Sequence, residues 1–279
     1  MYDYELLRVE VEDGVATATL DNPPINLLTL PLFGELAGFA AEVAEDEGVR
    51  AVVLRSDAPD FFIAHFDVEA LLHLPTDTPA ARAGSVEENP FHALCERFRT
   101  MPKATIAEIA GRVGGGGSEL ACSCDMRFGA LGKTRINQPE VALGILPGGS
   151  GTQRLPRLLG RGRALEVVLG CEDLDAETAE RWGYLNRALP AAELRPFVSR
   201  LARRIACFPA EAIALAKESV DGAEPRREGL IEESYRFQQL LRSGEARRRM
   251  QRFLKSGGQT REGELRLADL CPELAGGGS

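Results

Sequence analysis

The chain has 279 residues, 44% of them hydrophobic and 27% charged, which suits one large globular domain with its own core. The formal net charge of −9 argues against nonspecific binding to the nucleic-acid backbone. No stretch approaches the ~20 consecutive apolar residues that a membrane-spanning helix needs. Residues 1–5 also lack the basic head and apolar core of a signal peptide. We therefore expect a cytoplasmic protein that binds neither nucleic acid nor membranes.

The N-terminal half shows patterns of strands, turns and helices in alternation. The predicted strands lie at 6–11, 15–20, 51–54, 104–110 and 126–130, and the predicted helices at 31–43, at 91–101 and from Ser118 onward. Asp13-Gly14 separates the first two strands with turn chemistry, and Thr29 followed by Pro31 is a helix start signal. This alternation predicts an α/β core.

The pattern becomes almost entirely helical after Gly151. Helical spacing of apolar residues is found at 152–170, 175–183, 191–218 and 228–254. The segment 74–90, rich in Pro, Thr, Ala and Glu, is predicted to be a mobile insertion. We divide the chain into a core at 1–190, a helical C-terminal region at 191–255 and a tail at 256–279 that we expect to be flexible.

The six cysteines and three histidines show no spacing that is typical of a metal site. Only Cys122 and Cys124 lie close together, and the single residue between them does not form a CxxC motif. Their apolar neighbours indicate small buried side chains. The sequence therefore predicts no metal ligands.

A run of glycines from Gly114 to Gly117 follows an apolar strand and opens a helix. Such a turn offers unpaired backbone N–H groups, which can hold a phosphate or a carbonyl oxygen that becomes negative during a reaction. A tight turn without a ligand is the alternative, and no phosphate-binding motif is complete. Glu119 follows within one helical turn, and Glu140 lies in a second apolar run. Because a buried carboxylate is costly unless it is paired or used, these two glutamates are candidate catalytic groups.

Two linked motifs resemble the central sequences of the enoyl-CoA hydratase/isomerase (crotonase) superfamily. Residues 115–121 read Gly-Gly-Gly-Ser-Glu-Leu-Ala, residues 138–140 read Gln-Pro-Glu, and residues 147–155 read Pro-Gly-Gly-Ser-Gly-Thr-Gln-Arg-Leu. The resemblance extends from about residue 6 to about residue 255. It implies an α/β fold, a spiral of ββα turns with a helical C-terminal region that forms a homotrimer or a dimer of trimers.

The resemblance also implies roles for particular residues. Glu119 and Glu140 match the two catalytic glutamates, and Gly148 matches a residue close to the catalytic water. The backbone N–H groups of Phe66 and Gly116 match the oxyanion hole. The loop at 64–67 reads Ala-His-Phe-Asp where relatives usually have Ala-Gly-Ala-Asp, so two bulky side chains replace small ones. We expect His65 to shape the site or stabilise this loop rather than to act in catalysis, although it could titrate near neutral pH.

Residues that match the coenzyme A contacts of the family lie in three parts of the chain. They are Asn26, Leu27, Ala64, Phe253 and Lys255. An ordinary amphipathic helix is an equally good interpretation for the last two.

The activity implied by the resemblance is hydration of a 2-enoyl-CoA thioester to a 3-hydroxyacyl-CoA. The substrate is then an acyl-CoA, and no cofactor is needed other than the coenzyme A that the substrate carries. Double-bond isomerisation is the first alternative, and other acyl-CoA reactions (C–C cleavage, decarboxylation or thioester hydrolysis) form the second. A noncatalytic acyl-CoA-binding or RNA-associated role is the third, which the intact glutamate pair and the acidic charge disfavour.

Overall fold

The computed structural model describes residues 2–74, 89–221 and 227–274. The strands are β1 (Leu7–Glu12), β2 (Val15–Leu20), β3 (Ala51–Ser56), β4 (Phe61–Ile63), β5 (Ala104–Ile109), β6 (Arg112–Gly114), β7 (Met126–Ala130), β8 (Arg135–Asn137), β9 (Leu174–Asp175) and β10 (Arg187–Leu189). The helices of the N-terminal half are α1 (Leu30–Glu45), α2 (Val68–Leu72), α3 (Pro90–Thr100) and α4 (Gly115–Ser123). They are followed by α5 (Gly151–Leu159), α6 (Arg161–Gly170), α7 (Ala176–Trp182), α8 (Ala191–Ala206), α9 (Ala210–Asp221), α10 (Arg227–Leu241), α11 (Gly244–Lys255), α12 (Arg261–Leu265) and α13 (Leu267–Glu273).

The strands form two sheets, and the chain passes repeatedly from one sheet to the other. One sheet has the order β1-β2-β3-β5-β7-β10, in which only the β1–β2 pair is antiparallel. The other has the order β4-β6-β8-β9, and β4, β6 and β8 are parallel. Three successive strand pairs, β3–β4, β5–β6 and β7–β8, each place their first strand in the larger sheet and their second in the smaller one. This arrangement confirms the predicted spiral of ββα turns.

Helix α1 begins at the predicted signal and buries the predicted apolar face. Thr29 caps α1 by accepting a hydrogen bond from the N–H of Leu32, and Pro31 occupies the first turn, where its missing N–H is not needed. The apolar residues at helical spacing are all buried, as predicted: Leu32, Leu36, Phe39, Ala40 and Val43. They belong to the main core, which covers one face of the larger sheet and extends to α3 and α4.

Three of the long helical patterns of the C-terminal half are each divided into two helices. Gly160, at φ +79°, separates α5 from α6 in a backbone conformation that side chains rarely adopt. Pro209 has no N–H to continue α8 and directly precedes α9. Ser243 accepts a hydrogen bond from the N–H of Ala246 at 3.0 Å and so starts α11. Each break therefore has a local chemical cause.

Residues 256–274 differ from the flexible tail that the sequence pattern predicts. They contain α12 and α13, and Leu267, Leu270 and Leu274 are buried in a second core with α11. A stretch with few apolar residues becomes ordered here because Glu264 and these leucines have buried partners earlier in the chain. Residues 275–279, and residues 75–88 of the predicted insertion, lie outside the described residues.

Among the helices described in the three ranges above, none is both long enough and apolar enough to cross a bilayer.

Candidate active site

The predicted glycine turn joins β6 directly to α4, which begins at Gly115, three residues before the predicted start. Gly115 has φ +45°, and a Cβ atom there would lie 2.8 Å from Oε1 of Glu140. A Cβ atom at Gly117 would lie 2.6 Å from Cβ of Ile63. Both distances are shorter than real side chains tolerate, so glycine is what lets the helix start against β4 and beside a carboxylate.

The loop after β4 lies beside the first turn of α4. A Cβ atom built on Gly116 would be 3.2 Å from Cβ of Phe66, so these two residues are in direct contact. Leu28 donates its N–H to the carbonyl of His65 at 2.9 Å and accepts from the N–H of Asp67 at 3.1 Å. Because amides alternate in direction along extended backbone, the N–H of Phe66 faces away from Leu28. The N–H of Gly116 lies in the first helical turn, where no intrahelical acceptor exists.

A cavity of about 480 Å³ opens over these two residues. Its wall is mainly apolar and aromatic, formed by Leu30, Phe33, Phe66, Val68, Leu71, Leu74, Phe91, Leu143, Ile145, Phe237 and Leu241. Both predicted glutamates, Glu119 and Glu140, also line it, together with His65, Gly148 and Gly149. The cavity therefore brings two carboxyl groups and two backbone N–H groups to one apolar chamber, the combination expected of a ligand site.

Glu119 lies in α4 and is 3% exposed. Its Oε1 atom accepts hydrogen bonds from the N–H of Gly149 at 2.8 Å and of Gly151 at 2.7 Å. Burial, followed by the neighbouring charge of Glu233, raises the pKa of Glu119 to about 8, against the lowering effect of these two N–H groups. This carboxyl group can therefore exchange a proton near neutral pH.

Glu140 follows β8 and has a less polar environment than Glu119. Its Oε2 atom is buried and has no hydrogen-bond partner among the described residues. Burial, followed by the charge of Glu119, raises the pKa of Glu140 well above its ordinary value. The surroundings of the two carboxyl groups are thus unequal: backbone donors stabilise the ionised form of Glu119, whereas Oε2 of Glu140 has none among the described residues.

The loop from Gly148 to Gly151 fits tightly between aromatic rings. A Cβ atom at Gly148 would lie 2.5 Å from the ring of Phe237, and one at Gly149 would lie 2.1 Å from the ring of Phe91. The carbonyl of Gly148 accepts a hydrogen bond from Nδ2 of Asn89 at 3.1 Å. Glycine at these positions allows the backbone to reach Glu119 while the rings close the cavity.

Comparison with known proteins agrees with this geometry. Residues 10–260 match the sequence profile of the enoyl-CoA hydratase/isomerase family. The chain belongs to this family. The match confirms the resemblance seen in the sequence and the hydratase-like enzymatic character inferred from it.

Individual relatives span nearly the whole chain. A probable enoyl-CoA hydratase of Mycobacterium tuberculosis is 31% identical over 255 residues, covering 90% of this chain and 96% of the relative. A crotonyl-CoA hydratase of Syntrophomonas wolfei is 32% identical, covering 78% of this chain and 82% of the relative. A crystal structure from Streptomyces avermitilis, assigned as an enoyl-CoA hydratase, shares 40% identity at a TM-score of 0.88 and covers 98% of this chain and 99% of that one.

The ring nitrogens of His65, one of the two predicted departures in this loop, bind neither Glu119 nor Glu140. Its Nδ1 lies 2.8 Å from the carbonyl oxygen of Phe66, and its Nε2 lies 3.0 Å from Oε1 of Glu264. Both partners are acceptors, so the hydrogen-bond pattern assigns a proton to each ring nitrogen. Burial acts to lower the pKa of His65, but the adjacent Glu264 carboxylate and the Phe66 carbonyl raise it overall. His65 thus stabilises the loop that carries Phe66.

Three of the five residues predicted to contact coenzyme A lie near β4. Asn26 is buried at φ +48°, and its Nδ2 donates to Oγ of Ser56 at 2.7 Å and to the carbonyl of Phe62 at 3.1 Å. Leu27 is half-buried, and Ala64 is buried with its N–H bonded to the carbonyl of Ile25 at 3.2 Å. The Asn26 side chain is therefore committed to holding the backbone at the edge of the site.

The other two are in α11 and have different surroundings. Phe253 is completely buried, its ring lying 5.6 Å from that of His65 and against Gly258. It therefore packs behind the Phe66 loop instead of facing a surface that a ligand could reach. Lys255 is exposed at the end of α11, and its contact with coenzyme A stays a prediction.

Two buried carboxylates next to the site are missing from the sequence-based prediction, Glu233 in α10 and Glu264 in α12. Glu233 falls on the helical stripe of Leu230, Phe237 and Leu241, so a charged residue among apolar ones was the signal that could have revealed it. Glu264 lies in a short, charge-rich segment and has no comparable signal.

Proposed function

We propose that this enzyme hydrates 2-enoyl-CoA thioesters to 3-hydroxyacyl-CoA. The observation that carries the proposal is the pair of unequal carboxyl groups, Glu119 and Glu140, in one apolar cavity beside two backbone N–H groups. The names of the Mycobacterium and Syntrophomonas relatives support the same reaction class.

The oxyanion hole is proposed to consist of the N–H groups of Phe66 and Gly116. The thioester carbonyl accepts hydrogen bonds from both, which makes the β-carbon electrophilic and stabilises the enolate that forms when water adds. In other enzymes, removal of one such donor raises the activation barrier by about 3–4 kcal/mol. Because both donors belong to the backbone, the bulky side chain of Phe66 leaves this function intact.

The two glutamates are proposed to divide acid and base roles. Ionised Glu119, held by Gly149 and Gly151, takes a proton from water as the water oxygen bonds to the β-carbon. The electron pair of the C=C bond moves toward the thioester carbonyl. Glu140, whose raised pKa keeps it protonated, then delivers its proton to the α-carbon. Proton exchange returns both groups to their starting states.

The acyl group is proposed to be apolar and able to extend beyond four carbons. A cavity of roughly 150 Å³ is sufficient to hold benzene, and the cavity of this enzyme measures about 480 Å³. Most of the described lining residues are apolar, as around Phe33, Leu71 and Phe237, while Arg242 adds a guanidinium to the lining. The proposed reaction needs no cofactor other than the coenzyme A of the substrate.

Assembly into a homotrimer or a dimer of trimers is also proposed. Several large apolar side chains are exposed in the single chain, among them Leu169 at 61%, Leu215 at 54% and Val220 at 74%. They lie on α6 and α9, and α9 contains no buried residue. Such surfaces support burial against neighbouring subunits.

The deciding experiment is a panel of 2-enoyl-CoA and 3-enoyl-CoA thioesters with short, medium and long acyl chains. We expect loss of the conjugated-thioester absorbance with the 2-enoyl substrates, and a product whose mass has increased by one water. Conversion of 3-enoyl to 2-enoyl thioesters without hydration would instead establish an isomerase. Absence of both reactions across the panel would refute the proposal.

A further inference from the structure

Glu233 is a completely buried carboxylate with a full set of hydrogen-bond donors. Its Oε1 accepts from the N–H of Ser150 at 2.6 Å and from Nε2 of His92 at 3.0 Å. Its Oε2 accepts from the N–H of Thr152 at 2.9 Å and from the hydroxyl of the same residue. Three donors at the N-terminus of α5 and one in α3 thus satisfy both oxygens of this carboxylate.

The same loop supplies the donors of Glu119. The N–H groups of Gly149 and Gly151 bind Glu119, and those of Ser150 and Thr152 bind Glu233. Four consecutive amides therefore alternate between two carboxylates on opposite sides of the loop. Any shift of the loop toward one carboxylate breaks its bonds to the other.

A second set of hydrogen bonds fixes Glu233 from behind. Nδ1 of His92 lies 3.3 Å from the hydroxyl of Ser234, which is also 3.0 Å from Nδ2 of Asn89. The same amide nitrogen donates to the carbonyl of Gly148 at 3.1 Å. His92 thus bridges Glu233 and Ser234 through its two ring nitrogens. Helices α3 and α10 are thus both tied to the loop.

We propose that Glu233 is a positioning residue that holds the loop 149–152 in register for Glu119 and sets the electrostatic environment of that glutamate from the side opposite the substrate. This inference rests on the proposed function only for the role of Glu119 as the base. The hydrogen bonds that carry it are independent of the reaction.

The charged groups that face Glu119 come from three elements besides its own helix. Glu233 of α10 raises its pKa and Arg154 of α5 lowers it, while Glu140, which follows β8, has its own pKa raised by the charge of Glu119. Arg154 is itself neutralised, because it lies 2.5 Å from Oε1 of Glu96 in α3. Removal of the Glu233 charge therefore lowers the pKa of Glu119.

The other titratable neighbours do not oppose this effect. The thiols of Cys95 in α3 and Cys122 in α4 are buried, and burial raises the pKa of each, so both stay neutral. Among the ionised groups that act on Glu119, the variants below therefore change only Glu233.

The experiment compares wild type with Glu233→Gln, which keeps the side-chain shape and removes the charge. Hydration is measured as a function of pH, and the protonation of Glu119 is measured without substrate from its infrared carboxyl band, assigned with Glu119→Gln. We expect the pKa of Glu119 and the acid limb of the rate profile to fall together by about one pH unit, as for one screened charge. The plateau kcat should fall roughly tenfold because the loop loses its register, with KM nearly unchanged.

Two further variants make the result specific. Glu108→Gln removes a buried carboxylate of β5 that pairs with Arg195 at 3.2 Å, outside the residues that line the cavity, and should leave the infrared pKa of Glu119 unchanged. Glu233→Asp keeps the charge on a shorter side chain, so it should keep the acid limb of wild type while its kcat is lowered. If Glu233→Gln fails to fold, this aspartate variant alone tests the positioning role, and an undiminished kcat would overturn it.

The infrared titration also separates this inference from the proposed function. A lowered pKa of Glu119 in Glu233→Gln supports the inference even if no enoyl-CoA is hydrated. An unchanged infrared pKa and rate profile in a folded Glu233→Gln variant refutes it, even if wild type is an active hydratase.

Discussion

The floor of the cavity (residues 112–119 and 137–140) and its cover (residues 230–264) are stabilised in different ways. The floor depends on close backbone contacts at Gly115 and Gly117, between strands and a helix that are joined by short turns. The cover is held by buried polar side chains whose partners lie far away in the sequence. Glu233 binds Ser150 across 83 residues, and Glu264 binds His65 across 199. The floor therefore holds the proposed catalytic groups in local motifs, while long-range hydrogen bonds hold the cover in place.

The largest expected effect comes from the floor. Glu119→Gln and Glu140→Gln should each fold, because both amides retain an oxygen and add no volume, yet each should reduce kcat about 10²–10⁴-fold, the usual contribution of a positioned acid or base. Steady-state hydration assays, with thermal melting to verify folding, measure this effect. Near-wild-type turnover of either variant would contradict the two-glutamate mechanism. A loss of activity with Glu140→Gln alone would favour an isomerase.

A smaller effect separates two helical glycines. Gly117→Ala places Cβ 2.6–2.7 Å from Ile63, including its backbone oxygen, and should lower the free energy of unfolding by about 3 kcal/mol. Gly162→Ala in α6 meets nothing within 4 Å and should stabilise the protein by about 0.5–1 kcal/mol through helix propensity. Urea unfolding of both variants is the measurement. Equal effects of the two substitutions would show that the floor is less tightly packed than the structure indicates.

The smallest of the three effects tests the cover. Glu264→Gln removes the charge that faces His65 and should lower the free energy of unfolding by about 2 kcal/mol, with hydration kinetics almost intact. Glu262→Gln on the same helix changes an exposed side chain and serves as the control. A clear fall in kcat in the folded Glu264→Gln variant would mean that the cover takes part in the chemistry.

The pH dependence of the Glu264 variant has a defined direction. The pKa of His65 is raised from 6.5 in the folded protein, so its contribution is complete below that pH and is lost as the pH rises through the folded value. The pKa of Glu264 is lowered from 4.5, so its contribution is complete above that pH and is lost as the pH falls through the folded value. The difference in Tm between wild type and variant should therefore be largest between pH 4.5 and 6.5 and shrink at alkaline pH.

The sequence was informative where the physical constraint was local. The turn at Gly116 and the burial of Glu119 and Glu140 could be predicted because a glycine run, a helix start and a carboxylate in an apolar run each leave a short pattern. The strand pairs of the spiral and the stripe of α1 were predicted for the same reason. The roles of Gly116, Glu119 and Glu140 were implied by the family resemblance and stay predictions.

The cover could not be predicted in this way. Glu264 is buried because its carboxylate binds the ring of His65 and the N–H of Gln259. Neither partner lies in a sequence motif that predicts this contact. The family resemblance predicted a coenzyme A contact for Phe253, with an ordinary amphipathic helix as an equal alternative, but its ring packs behind His65. Contacts between side chains about 200 residues apart can be identified only from the folded structure.

The unpartnered oxygen of Glu140 has a thermodynamic consequence for ligand capture. In the proposed complex, an apolar acyl group beside Glu140 removes further solvent from that carboxyl group and raises its pKa, while Glu119 keeps its two backbone donors. Because linkage is reciprocal, a ligand that raises this pKa binds more tightly to the protein in which Glu140 is protonated. Occupation of the cavity therefore draws protons from the buffer, and affinity declines as the solution becomes alkaline. Proton uptake is therefore coupled to ligand binding before any covalent bond changes.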